Sequence, residues 1–142
     1  MRRVCERVVP LSTGPGLGRD RLVAMSTAHV LNLMEDLAYH HVVHQAVRGD
    51  ASQALKPRQR EELSTLHELR SEYGAMFRQV ISDGIADGSL RRVDARLATR
   101  VLMSNLNAVD VWYRRRLEQS TEEVHELAGQ IVDLLIGGLT AG

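Results

Sequence analysis

The sequence predicts an all-α fold, an antiparallel bundle of about four long helices preceded by a short N-terminal one. Three observations carry that expectation. Aromatic residues make up only 4% of the chain, and no stretch alternates apolar and polar residues between turn dipeptides as a half-buried strand does. Apolar residues recur instead at three- and four-residue steps, and clusters of glycine and proline cut the chain into helix-length segments. At 142 residues the chain fits one domain, enough to bury about two-thirds of its unfolded surface.

Arg2 to Val9 has room for one or two helical turns, which the run from Pro10 to Gly18 ends in a flexible loop. From about Arg19 to Val47 apolar residues wrap almost the whole circumference, so this helix is expected to be buried on several sides. Arg48 to Ser52 breaks it. Pro57 then stands at a natural first helical position, and Leu63, Leu66, Leu69, Tyr73, Met76, Phe77 and Val80 form one stripe, with Gly84 a possible bend and Gly88 the stop. Asp94 is placed to cap a third long helix whose apolar residues, from Leu97 to Tyr113, occupy two adjacent faces. Arg114-Arg115-Arg116 falls in its last turn, where cations complement the helix dipole. Ser120-Thr121-Glu122-Glu123 reads as a capping box opening a fourth helix, and Gly137-Gly138 closes it.

Eighteen basic and eighteen acidic side chains cancel, so no bulk field exists to hold a polyanion, and specific DNA binding by this chain alone is not expected. Cys5 is the single cysteine, which excludes an intrachain disulfide and fits a reducing compartment. No apolar run reaches the roughly 18 residues of a membrane span, and the first residues lack the apolar centre of a signal peptide. A cytoplasmic protein without membrane contact is the expectation.

Catalytic and metal chemistry find no support. His40 and His44 stand one helical turn apart with His41 beside them, but a third ligand and a base are missing, and Asp36 offers His40 an ordinary ionic partner. Glu122-Glu123-Val124-His125 occurs once, whereas a di-iron bundle needs the pattern twice. Phosphate-binding loops and nucleophile elbows are absent. No enzyme, cofactor or metal is therefore expected. Polar matter at core spacing stands out instead: Ser104, Asn105 and Asn107 on the third long helix, His29 and Asn32 on the first. A buried amide without partners costs about 1–3 kcal/mol, so these residues need partners within the bundle, across a dimer seam or on a ligand.

Tyr73-Gly74-Ala75-Met76-Phe77-Arg78, then Ile81 to Arg91 with its Gly-Ile-x-x-Gly, Asp94 to Ala98, Asn107-Ala108-Val109, Trp112-Tyr113-Arg114 and Leu134 to Leu139 form a series. Over about Glu72 to Leu139 it resembles the C-terminal domain of TetR-family transcriptional regulators, most of all the branch that represses lipid or steroid catabolism in response to acyl-CoA-type effectors. The resemblance implies a dimer seam built by the last two long helices and an effector pocket enclosed by those before them. It also implies that residues 1–18 are the remnant of a linker helix with its loop, and that 19–142 are the effector-binding and dimerisation domain. The family's helix-turn-helix reader is not matched, so DNA would be reached only through a domain absent from this chain.

Two functions are carried as expectations. One is the sensing, dimerising module of a repressor, with a hydrophobic small-molecule effector. The other is a stand-alone helical interaction protein without a ligand. For the first, an elongated pocket is expected among Met25, His29, Leu33, Tyr73, Met76, Phe77, Asn105 and Trp112, where soft methionines and aromatics would take an apolar tail. Spacing alone fits a dry core with satisfied amides equally well. A homodimer is expected through residues 94–117 and 120–139, with Val101, Val109, Leu127, Ile131, Leu134 and Leu135 in the seam.

Overall fold

The computed structural model describes residues 2–36, 56–114 and 119–141. Helix α1 (Arg2–Ser12) outlasts the two turns expected of it and carries Pro10 inside. A proline there forfeits one backbone bond. Burial of Val4 and Val8 in the shared core offsets that loss, and the carbonyls of the last turn find side-chain donors. Ser12 Oγ donates to the Val9 carbonyl at 2.7 Å, and Arg21 Nη1 to the Ser12 carbonyl at 2.9 Å.

Helix α2 (Gly18–Glu35) is central. It packs against α1, against α3 (Pro57–Asp87), against α4 (Ala95–Asn107) with its short continuation α5 (Val109–Trp112), and against α6 (Thr121–Gly137). That environment explains its all-round apolar pattern: Leu22, Met25, Val30 and Leu33 are fully buried, each worth roughly 1.5–3 kcal/mol of transfer free energy. The helix ends at Glu35 rather than near Val47. Asp36 leaves the helical region (φ −125°, ψ 49°), as a short carboxylate that competes for backbone donors readily does. The rest of the expected helix, His40, His41 and His44 included, lies outside the described residues.

Helix α3 begins at Pro57 and stops at Gly88, whose φ of 83° only glycine adopts without strain. Gly84, expected as a bend, is instead the point where α3 crosses α2 within an unbroken helix. A Cβ on Gly18 would lie 2.2 Å from the Gly84 nitrogen, so the two backbones touch because neither residue has a side chain. The crossing is fastened by polar bonds to the exposed amides of α2's first turn. Asp87 Oδ2 accepts from Gly18 N–H at 2.7 Å, and Ser89 Oγ from Arg19 N–H at 3.0 Å.

Asp94 caps α4 as expected, Oδ1 accepting from the Arg96 and Leu97 amides. The third long helix expected from the sequence is broken at Ala108, after a run of serine and asparagines that compete for backbone groups. Ser120 Oγ accepts from Glu123 N–H at 3.1 Å, which forms the serine half of the expected capping box. Past Gly138 the chain returns to the α3–α4 turn, where Arg91 N–H donates to the Leu139 carbonyl at 2.9 Å. None of the described helices is long and apolar enough to cross a membrane.

Candidate functional site

Tyr73 on α3 and His29 on α2 face each other inside the core at 4% and 5% exposure. The Tyr73 hydroxyl lies 2.6 Å from His29 Nδ1, and His29 Nε2 lies 2.8 Å from Oδ1 of Asn107, the last residue of α4. An amide oxygen only accepts, so Nε2 carries the proton and donates to it. Nδ1 of the neutral ring then accepts from the Tyr73 hydroxyl. Burial pushes the Tyr73 phenol far above its ordinary range, which keeps it a donor. Phe77 completes the cluster, its ring 5.2 Å from Tyr73 and edge-on to His29.

Met25, His29, Leu33, Tyr73 and Phe77 are thus brought together as the sequence suggested, packed against one another in the core, with Met76 half-buried at the edge. Asn105 and Trp112 do not join them. Asn105 is exposed and donates to the Val101 carbonyl at 2.7 Å, and Trp112 is 55% exposed. Two residues along a helix turn the side chain by about 200°, so Asn107, not Asn105, points at His29. The break at Ala108 re-aims the turn beyond it, carrying Trp112 outward.

Asn107 has a second environment. It lies on the wall of a groove of about 800 Å³ between α3 and α4, open to solvent on one side. Gly74, Ala75, Met103 and Ala108 give this groove a small and apolar lining, Arg70, Arg78, Arg96 and Arg100 stand on both of its sides, and none of the described lining residues is acidic. No motif singles these arginines out in the sequence. Their spacing was the available signal, since Arg70, Gly74 and Arg78 fall on one face of α3, and Arg96 and Arg100 on one face of α4. Among the described residues no group of three or more His, Cys, Asp or Glu could hold a metal.

A second surface lies on α4 and α6, which pack side by side. Leu134 is 81% exposed, Leu97 61% and Val101 54%. Leu127, Ile131 and Leu135 are half-buried along α6. Val109, expected in the seam, is 1% exposed inside the core because the break before it turns it inward. Leu97 lies one turn before Val101 on the same exposed face.

Solved structures share this fold. The ketosteroid transcriptional regulator KstR2 of Mycobacterium tuberculosis superposes with a TM-score of 0.79 at 19% identity, over 98% of this chain and 66% of that one. A TetR/AcrR-family regulator from Thermobifida fusca YX-ER1 gives 0.75 at 23%, over 96% and 67%. A TetR-family member from Streptomyces coelicolor A3 gives 0.75 at 25%, over 97% and 66%. The chain spans about two thirds of the length of these proteins. No curated protein matches it in sequence. The family model described as the tetracyclin repressor-like C-terminal domain matches residues 16–139, and the chain therefore belongs to that family of transcriptional regulators, with a regulatory role.

Proposed function

We propose that this chain is the effector-sensing and dimerising domain of a TetR-type transcriptional repressor, and that its effector is a lipid-like or acyl-CoA-like small molecule. The observation that carries the reading is the α3–α4 groove, whose apolar lining suits a tail and whose exposed Arg78, Arg96 and Arg100 suit an anionic head. The site thus moves from the interior expected between three helices to a cleft beside it. The exposed leucines and valine of α4 and α6 supply the dimer seam, so groove and seam share one helix, α4. A ligand that favours one placement of α4 would bias the arrangement of two subunits and of any DNA reader joined to α1. The name of the ketosteroid regulator among the structural neighbours agrees with an apolar effector.

Thermal unfolding against acyl-CoAs, fatty acids and steroids tests this. A ligand at a hundred times its dissociation constant stabilises the fold by about 2.7 kcal/mol, and an anionic amphiphile is expected to do so. The shift should vanish in an Arg96→Glu, Arg100→Glu variant. A panel without any shift would leave the chain as a helical dimerisation protein that senses nothing.

A further inference from the structure

Asn107 belongs to two environments at once, and its amide has two ends of opposite character. The oxygen end is occupied, because Oδ1 accepts from His29 Nε2 at 2.8 Å, and His29 is held in turn by the Tyr73 hydroxyl at 2.6 Å. The nitrogen end is not: Nδ2 meets no acceptor among the described residues, although the side chain lies on the groove wall. A free asparagine amide can turn over and present either end. Here Oδ1 is the end that faces Nε2, so Nε2 carries the imidazole proton and Nδ1 accepts from the Tyr73 hydroxyl. With Oδ1 so committed, the two Nδ2 protons remain for whatever occupies the groove.

Resting on the reading of this groove as the effector site, we propose that Asn107 is its specificity-determining polar residue, oriented by His29 and Tyr73 to donate to an acceptor oxygen of the ligand. The chemical class selected is a molecule with a carbonyl or anionic oxygen next to its apolar part. A plain hydrocarbon or a group offering only donors gains nothing at this point. Arg78, Arg96 and Arg100 are exposed and draw any anion, whereas Asn107 is fixed from behind by buried partners, so it distinguishes where on the ligand the oxygen sits. His29 and Tyr73 are positioning residues that never reach the groove themselves.

The test titrates decanoate and methyl decanoate into the full chain and its Asn107→Asp variant. Aspartate still gives His29 an acceptor but turns the groove-facing end from donor into acceptor. At least ten-fold weaker binding of both probes is expected, the neutral ester included, because a pure charge effect would spare the ester. In the wild-type protein, nitrogen-15 spectra should show His29 as the neutral Nε2–H tautomer and the Asn107 Nδ2 protons shifting when decanoate is added. These spectra keep the idea open to refutation if the variant folds poorly. Ester binding that is unchanged in Asn107→Asp, or His29 in the Nδ1–H form, would overturn the role of Asn107 alone. A wild-type protein that binds neither probe would remove the groove reading and this inference with it.

Discussion

A tyrosine hydroxyl inside an apolar core has to be bonded, and Tyr73 meets that condition through His29. Tyr73→Phe keeps the ring and its stacking with Phe77 while depriving the imidazole of its donor. The expected cost is about 1–3 kcal/mol, read as a melting temperature several degrees lower, with the helical content unchanged. A variant as stable as the wild type would show that the hydroxyl is not needed by the core. At this scale much was legible: His29 and Tyr73 stand out as polar groups on apolar helices. Which of the asparagines meets them was not, because Asn105 and Asn107 differ by a rotation whose origin is the position of α4 against α2 and α3.

The start of α2 is held by a residue from another helix. Asp87 ends α3 and accepts from Gly18 N–H, so one carboxylate satisfies a first-turn amide of its neighbour. Hydrogen bonds from the Ser89 hydroxyl, then from the Gly18 and Ser89 amides, hold the Asp87 carboxyl below its ordinary value of 3.8. A folded-state value below the unfolded one means a contribution present above about pH 3.8 and lost as the pH falls through the folded value. The urea midpoint of the wild type is therefore expected to decline in that acid range. Asp87→Asn should begin with a lower midpoint near neutrality and show a shallower acid decline, and an identical pH profile would remove Asp87 from the linkage. The outward faces of α4 and α6 carry a second expectation at this scale. Leu134, at 81% exposure, gives nothing to the protomer, so Leu134→Glu should convert a dimer into a monomer in sedimentation at micromolar concentration without lowering helical content. A wild-type monomer, or a dimer untouched by the change, would count against the seam.

Across the whole molecule the core is one. Val4 and Val8 of α1 pack into the same cluster as Leu22 of α2, Ile81 of α3, Leu106 of α4 and Ile136 of α6, so a shift of α3 or α4 has a packed route to α1. Electrostatics at this scale are neutral, since eighteen positive charges meet eighteen negative ones. The arginines of the groove are a local field in a chain without a global one. The chain is accordingly expected to show no sequence-dependent affinity for duplex DNA in a fluorescence titration at physiological salt. Nanomolar, sequence-dependent binding would contradict this.

Helix identity and most helix ends were written in the sequence, because caps are local chemistry: Pro57, Gly88, Asp94 and Ser120 act through their own backbone angles or through amides two or three residues away. The buried polar cluster was half written there, as residue types that an apolar helix does not carry without a reason. The α3–α4 groove, the inward turn of Val109 and the pairing of Gly18 with Gly84 were decided only by tertiary structure. Each depends on the angle and separation at which two helices meet, and these arise from packing among residues far apart in the chain, which no local spacing encodes.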